Sequence, residues 1–298
     1  MEPEELMPPV PAEQVADCAA TVLTISYSAP MPGLGSRYQD TAVAHETRLL
    51  TVTPVQGALA GAGTQGVGET VLSGVLASRA LAGFADVRAA GYLAPLARGA
   101  LLGMPFRRVL STLGAGDVLP VIDAFVAAGQ PGPFSEALRL AHQAGGETTL
   151  RDVARFVADR DPLAREYARG FEIPTELAGP AILEALSRAE SARAALVHSY
   201  LEVLAEVPDL DIIRRAGDRE AEDVARMARG VVKSGSVYSR RGIQSLANLD
   251  GLLREDPRLA PTATESPVIA AAFLLSLEYG PGSFNRRLNP VTGGYRGR

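Results

Sequence analysis

Two acids precede two bases in the segment PDLDIIRRAG, residues 208–217. Asp209 and Asp211 are close enough in sequence to share a magnesium ion, and Arg214 and Arg215 could face the phosphates that such an ion bridges. The same residue types occur more often as an ion cluster on a protein surface. The segment therefore provides Asp209 and Asp211 as candidate metal ligands and Arg214 as a candidate phosphate-binding residue.

A second group of charged residues lies in the segment DRDPLAREYARGFE, residues 159–172. Arg165 and Arg169 are four residues apart, so they share one face of a helix. Two guanidinium groups on one face can bind a polyphosphate. The alternative is a solvated helix face on which Asp161 and Glu172 pair with the arginines.

A loop rich in proline and glycine, APMPGLGSRYQDT at 29–41, could present two charged side chains. Its prolines end the preceding helix, and Gly33 and Gly35 permit tight turns and the close approach of a ligand. Arg37 could hold a phosphate, and Asp40 could bind magnesium or a sugar hydroxyl. An ordinary connection between helices with a salt bridge explains the same residues.

The segment GAGTQGVGE, residues 61–69, has the glycine spacing of a dinucleotide-binding fingerprint. That fingerprint requires a preceding strand, and an alanine-rich helix is predicted here, so we reject the dinucleotide interpretation. A helix start can still bind an anion through its amide groups, which makes Gly68 and Glu69 candidate site residues. The alternative role of Glu69 is to complement the helix dipole.

Helical periodicity dominates the chain and predicts an all-α protein. Residues 177–206 carry one broad apolar stripe, which predicts a long central helix contacted on several sides. The predicted helices span 12–27, 42–61, 67–82, 88–101, 116–128, 134–143, 149–158, 162–170, 175–206, 218–233, 239–255 and 266–279.

These helices predict a single domain over residues 12–280, between a flexible N-terminus (1–11) and a basic, irregular tail (281–298). A cleft is expected where the loops 29–41, 61–69, 84–88, 161–172 and 208–217 meet. The tail carries four arginines and no acid, which would suit an acidic protein partner or a neighbouring subunit in a homo-oligomer.

The composition excludes several classes of protein. The chain has 298 residues and a formal net charge of −5, which gives no sign of nucleic-acid binding. No uninterrupted apolar segment reaches the length of a transmembrane helix, so no membrane is expected. The N-terminus, MEPEELMPPVP, is acidic and unlike a signal peptide, which predicts a cytoplasmic location. The three histidines, His45, His142 and His198, lack metal-site spacing.

Taken in chain order, the segments described above resemble the triphosphoribosyl-dephospho-CoA synthase family over about residues 12–280. The chain is most similar to the shorter archaeal-type branch, which includes relatives associated with one-carbon metabolism. The matching segments are APMPG at 29–33, GVGE at 66–69, LAPLA at 93–97, AREYARGFE at 164–172, PDLDIIRRAG at 208–217 and AAAFLLSLEYG at 270–280.

The chain departs from this family in three places. Met31 stands where the family has lysine, and FADVR at 84–88 stands where it has an asparagine- and threonine-rich segment. Pro267, in PTATESP at 261–267, falls where it has aspartate. These changes remove groups suited to phosphate and metal binding.

The resemblance implies a nucleotide-dependent transferase that uses ATP, Mg²⁺ and a dephospho-CoA-like acceptor, with an altered substrate. It assigns the metal to Asp209 and Asp211, the nucleotide phosphates to Gly33, Arg37, Gly68, Arg165 and Arg214, and hydroxyl chemistry to Asp40 or Glu69. The alternative is a non-catalytic binding or scaffold protein that kept the cleft and lost the reaction.

Overall fold

Alanine- and leucine-rich segments with apolar residues at helical spacing pack into a bundle of helices. The structure is a computed structural model that describes residues 8–39, 41–145, 148–188 and 191–284. Over these residues the chain forms helices and no β-strand, with one isolated bridge between Ser36 and Gln39. The predicted all-α class is confirmed.

The α-helices follow one another along the chain with short connections. They are α1 (Ala12–Ser28), α2 (His45–Leu50), α3 (Val52–Ala60), α4 (Val67–Ala82), α5 (Val87–Leu102), α6 (Phe106–Ser111), α7 (Val118–Ala128), α8 (Pro133–Gln143), α9 (Leu150–Val157), α10 (Pro162–Arg169), α11 (Gly179–Arg188), α12 (Ala192–Glu206), α13 (Leu210–Ala216), α14 (Asp218–Lys233), α15 (Arg240–Glu255) and α16 (Thr262–Tyr279). Short 3₁₀ segments lie at Ala115–Asp117, Ser236–Tyr238 and Pro257–Leu259, and a π-helical segment lies at Ile173–Ala178.

Side-chain caps explain where several helices begin. At each of these positions an Asp, Ser or Thr oxygen accepts a hydrogen bond from an amide two or three residues later, which contributes about 1 kcal/mol per helix. The capping residues are Asp86 for α5, Thr149 for α9, Asp161 for α10, Ser191 for α12, Asp209 for α13 and Ser239 for α15.

The prediction of one long helix over 177–206 was wrong. The segment forms α11 and α12, and Ser199 Oγ donates a hydrogen bond of 3.0 Å to the carbonyl oxygen of Ala178. In a continuous helix those two residues would be about 30 Å apart, at 1.5 Å per residue. The two helices therefore lie side by side as a hairpin, and the cap at Ser191 begins the second one.

The central position belongs instead to α16. Every residue from Val268 to Phe273 is buried, and the helix packs against α1, α5, α11 and α12. A fully buried Val, Ile or Phe side chain contributes about 1.5–3 kcal/mol, so this helix holds the bundle together. It begins at Thr262, four residues before the predicted start.

Other predicted boundaries also changed. Residues 42–61 form two helices, α2 and α3, separated at Thr51, whose hydroxyl donates to the carbonyl oxygen of Arg48. The segment 208–217, predicted as a connection, contains α13. The proposed flexible N-terminus is described only from Pro8, and the basic tail only to Phe284, so both predictions fall largely outside the described residues.

In the part of the chain that the structure describes, one helical stretch, Pro257–Tyr279, has the length and composition of a membrane span. Of its apolar window, 72% is buried inside the fold. Burial against neighbouring helices accounts for its apolar composition, since a helix that is hydrophobic all round is expected in a protein core.

Candidate functional site

A cavity of about 860 Å³ opens where several helices begin. Two loops line it, 33–43 and 129–132, the second of which precedes α8. The rest of the wall comes from the start of α5, from Asp161 at the start of α10, and from α13. The segment from the end of α15 to the start of α16 completes it. Helix starts carry a partial positive charge, but aspartates already cap α5, α10 and α13, so an anionic ligand here would depend on the arginines of the same wall.

Four of the five predicted loops contribute to this cavity. The residues that line the cavity include one from each of these loops: Gly33, Asp86, Asp161 and Asp211. The fifth loop, 61–69, does not line it, so that part of the predicted cleft was wrong. The reason is that Gly68 is occupied within the fold: its amide donates to Asp117 Oδ1 at 2.9 Å.

Asp211 lies at the centre of the charged wall. Arg88 donates to both of its carboxylate oxygens, Arg214 Nη2 lies 2.9 Å from Oδ1, and Thr262 Oγ1 donates to Oδ2 at 2.6 Å. Burial raises the pKa of Asp211, but the hydrogen bonds and charge of Arg88 outweigh it and lower the pKa to about 2. This carboxylate joins α5, α13 and α16 and stays ionised.

Asp209 has a different role from its neighbour. Its Oδ1 accepts from the amides of Asp211 and Ile212, and its Oδ2 accepts from the amide and hydroxyl of Thr264. Burial raises the pKa of Asp209 to about 6, and the charge of Asp211 adds to that effect. The side chain therefore caps α13 and attaches it to α16, with all of its acceptor positions in use.

A second charged group surrounds Arg48 on α2. Its Nη2 donates to both oxygens of Glu265 at 2.7 and 2.8 Å and lies 3.9 Å from Asp86 Oδ2. The guanidinium carbon lies 4.0 Å from the centre of the Tyr27 ring. Burial disfavours the charged form, yet the charge of Glu265 raises the pKa of Arg48. One buried cation therefore lies between two carboxylates at the cavity wall.

The glycine-rich loop 29–41 is held in place by charged side chains. The amide of Gly33 donates to Asp250 Oδ1 at 2.8 Å, and Arg254 donates to the carbonyl oxygen of Leu34 at 2.8 Å. Gly33 has φ of 79°, and a Cβ there would lie 3.0 Å from Pro261 Cδ. Only glycine fits this turn, which brings the loop against the start of α16.

The structure brings Gly33, Asp211 and Arg214 together at the cavity, whereas several other predicted residues lie elsewhere. Glu69 is exposed in the first turn of α4, Arg37 is exposed beside Tyr38, and Arg165 lines a small separate cavity next to Asp209. Arg169 pairs with Glu172, as the solvated-face interpretation expected, and with Asp159 in place of the expected Asp161. Asp40 lies outside the described residues.

The cavity contains functional candidates that the sequence did not reveal. Arg48 and Glu265 are 217 residues apart, so no local pattern could pair them. Asp86 and Arg88 belong to the segment 84–88, which we singled out for the amides it lacks and not for the charges it has. Asp161, predicted as a partner of surface arginines, instead caps α10 and is buried.

The three departures from the resembled family fall in different environments. Met31 is buried in the core, so an apolar side chain packs where a lysine was expected. Phe84, Asp86 and Arg88 line the cavity, so the changed segment 84–88 does face the site. Pro267 lies inside α16, and its neighbour Glu265 provides the acid of this segment.

The carboxylates that face the cavity do not fit a magnesium ion as they are arranged. Magnesium requires carboxylate oxygens that are free to coordinate it. Asp211 is saturated by two arginines and a hydroxyl, Asp161 accepts three amides, and Asp86 and Glu265 share Arg48. Among the described residues, no group of three or more His, Cys, Asp or Glu side chains is suited to a metal.

Fold and site together define an all-α protein with an arginine- and acid-lined cavity at the convergence of helix starts. The chain matches the family model "CitG: ATP:dephospho-CoA triphosphoribosyl transferase" over residues 13–283. Because this match spans most of the chain, the protein belongs to that family, in agreement with the resemblance of its motifs.

Two relatives agree with this assignment. A protein of Malonomonas rubra named "Probable 2-(5''-triphosphoribosyl)-3'-dephosphocoenzyme-A synthase" is 29% identical over 115 residues, which are 38% of this chain and 36% of that protein. The chain thus aligns with about a third of that relative's length. A crystal structure from Archaeoglobus fulgidus that carries the triphosphoribosyl-dephospho-coA synthase name superimposes with a TM-score of 0.56 at 21% identity, covering 75% of this chain and 97% of that one. This last similarity shows the shared fold.

Proposed function

We propose that the protein is a nucleotide-dependent transferase that acts on ATP and a dephospho-CoA-like acceptor in the 860 Å³ cavity. The single observation that carries this proposal is that four arginines from separate helices, Arg48, Arg88, Arg214 and Arg254, line that cavity. Its volume lies within the usual range for small-molecule sites, and guanidinium groups suit phosphates.

The reaction named by the family defines what the cavity must do. The bond between ribose C1′ of ATP and adenine breaks, and a bond forms from C1′ to an acceptor hydroxyl. Adenine leaves with the electron pair of the broken bond and takes up a proton, while the acceptor hydroxyl loses one. The arginines would hold the triphosphate so that the ribose cannot move away from the acceptor.

A carboxylate at the cavity wall could accept the hydroxyl proton. Asp86 and Glu265 line the cavity and are 16% and 12% exposed, and either would exchange its contact with Arg48 for the hydroxyl in this role. Of the carboxylates predicted from the sequence, Glu69 lies away from the cavity and Asp40 lies outside the described residues.

The acceptor differs from that of typical relatives in this proposal, because Phe84 and Arg88 face the cavity where amide side chains were expected. An aromatic ring and a guanidinium favour a flatter or more anionic acceptor than amides do. We extend the proposal to cofactor biosynthesis, with one-carbon metabolism as the alternative pathway, in the cytoplasm.

Calorimetric titration tests the binding step. We expect ATP to bind and adenosine to bind much more weakly, because adenosine lacks the phosphates. Arg214→Ala should weaken ATP binding about tenfold or more, since it removes a charge-assisted contact. Arg226→Ala is the matched control, because Arg226 is an exposed arginine that pairs with Asp223 on α14. Equal affinities for ATP and adenosine would contradict the proposal.

A specific observation supports a second candidate, the non-catalytic binding relative. The described carboxylates that line the cavity already bond to arginines or amides, so the site holds charges without a free acid–base group. Incubation with ATP and dephospho-CoA followed by mass spectrometry separates the two candidates. Release of adenine with a triphosphoribosylated product supports the transferase, and ATP binding without adenine release supports the binding protein.

A further inference from the structure

Guanidinium groups lie at the positions in the cavity wall where a cation would bridge carboxylates. Arg48 Nη2 lies 2.7 Å from Glu265 Oε1 and 3.9 Å from Asp86 Oδ2, so a single nitrogen contacts acids from two different helix starts. Asp86 and Glu265 are 179 residues apart in the chain and share this arginine as a partner. A divalent cation would need the same space between the same oxygens.

At the second position, two arginines share one carboxylate. Arg88 donates to both oxygens of Asp211, and Arg214 Nη2 lies 2.9 Å from Oδ1. Thr262 adds a fourth contact at 2.6 Å. A carboxylate has about four acceptor positions, so Asp211 has none left for a metal.

Arginine at these two positions differs from a metal in one respect. It is covalently part of the chain and always charged, so its positive charge does not depend on the concentration of any ion. The side chain of Arg88 is 20% exposed and that of Arg214 is 43% exposed, and both line the cavity. Their charges can therefore reach an anion in the cavity while they remain bonded to Asp211.

We propose that Arg48 and Arg88 substitute for divalent cations in this cavity, so that the protein binds the phosphates of its nucleotide without Mg²⁺. This inference rests on the proposed nucleotide-binding function. It replaces the magnesium site predicted at Asp209 and Asp211, where one carboxylate caps a helix and the other is held by two arginines.

Titration of the 298-residue protein with ATP in EDTA and in excess Mg²⁺ tests the nucleotide step. We expect the two dissociation constants to differ by less than about tenfold. Binding that appears only with Mg²⁺ would overturn the inference while leaving the proposed function intact. Absence of ATP binding in both buffers would instead overturn the proposed function, and with it this inference.

Electron paramagnetic resonance of Mn²⁺, without nucleotide, tests the two positions directly. We expect the wild type to leave Mn²⁺ free in solution, because Asp86, Glu265 and Asp211 are already paired with arginines. Arg48→Met leaves Asp86 and Glu265 facing each other, and Arg88→Met frees part of Asp211, so each variant should bind Mn²⁺. Arg226→Met, in an exposed ion pair on α14, should gain nothing.

Circular dichroism shows which variants fold, and only folded variants test the inference. If Arg48→Met does not fold, Arg88→Met carries the test, because the side chain of Arg88 is less buried. Stoichiometric binding of Mn²⁺ by the wild type would overturn the inference. A folded variant that gains no Mn²⁺ would also overturn it, because the arginine would then not be filling a cation position.

Discussion

Two aspartates separated by one residue show how environment decides the chemistry of a side chain. Asp209 and Asp211 are both buried, but the pKa of Asp209 is raised to about 6 and that of Asp211 is lowered to about 2. Burial dominates at Asp209, whereas at Asp211 the contacts with Arg88 exceed the cost of burial. The sequence presents them as equivalent acids, and the fold makes one a cap and the other an ion-pair centre.

Replacing Asp211 with asparagine should destabilise the protein. Asn keeps the shape but leaves Arg88 and Arg214 without their counter-ion, and breaking a buried ion pair costs about 3–5 kcal/mol. Urea denaturation monitored by circular dichroism measures this loss. The control is Asp223→Asn, which removes an exposed pair with Arg226 and should cost less than about 1 kcal/mol. Equal losses in the two variants would show that Asp211 contributes no more than a surface pair.

Glu166 should make stability depend on pH. Its carboxyl is fully buried, Oε2 accepts from the amide of Ile173, and burial raises its pKa from 4.5 to about 7. A carboxyl with a raised pKa in the folded state is stabilising below its unfolded pKa and loses that contribution as pH rises through the folded pKa. The wild type should therefore lose up to about 3 kcal/mol between pH 4.5 and pH 8 from this group.

Glu166→Gln provides the test, because glutamine keeps an acceptor for Ile173 and cannot ionise. We expect the variant to be more stable than the wild type at pH 8 and to differ little at pH 5, as measured by urea denaturation at both values. A constant difference between the two proteins across this range would show that Glu166 does not ionise as predicted.

At the level of helices, the sequence predicted those with clear signals at both ends. The helices over 67–82 and 218–233 have the predicted bounds, and each follows a glycine. The hairpin of α11 and α12 was missed because an apolar stripe has the same period in one helix as in two. Ser191 was a cap signal inside that stripe, and it outweighs the periodicity.

The sequence predicted most of the loops that line the cavity, but it did not predict the side-chain contacts between them. Four of the five expected loops meet at the cavity, and three of them, 84–88, 161–172 and 208–217, contain the start of a helix that begins there. The bonds that hold the cavity wall together join residues far apart in the chain, such as Arg88 with Asp211 and Arg48 with Glu265. Such pairs depend on tertiary packing, and no local spacing in one sequence reports them.

Gly33→Ala should disturb the loop that covers the cavity. The residue has φ of 79°, and a Cβ would meet Pro261 and Leu253 at 3.0 and 3.1 Å. Left-handed strain and this contact should together cost about 1–3 kcal/mol and weaken ATP binding. Gly57→Ala is the control, since nothing lies within 4 Å of its Cβ in α3 and alanine should stabilise that helix by about 0.5–1 kcal/mol. Thermal denaturation and calorimetry check both expectations, and a Gly33→Ala variant as stable as the control would contradict them.

Across the whole molecule, the bundle gathers helix starts from distant parts of the chain into one place. α5, α10, α13 and α16 begin at the cavity, and the loop before α8 lines it. Aspartates cap three of these helix starts, so the positive charge available to a polyphosphate comes from the arginines that line the same wall. In a chain with a net charge of −5, this places arginines from separate helices, such as Arg88 and Arg214, at one cavity.

Hydrogen–deuterium exchange with and without ATP should therefore measure ligand protection at all of these helix starts in one experiment. We expect slower exchange in the first turns of α5, α10, α13 and α16, because a ligand that contacts all of them must be released before they open. The start of α4 is an internal reference, since Gly68 bonds to Asp117 and lies away from the cavity. Protection confined to residues 66–70 would place the anion at the glycine-rich segment that the sequence suggested. Protection of the four cavity helices, with α4 unchanged, would place it where the helix starts converge.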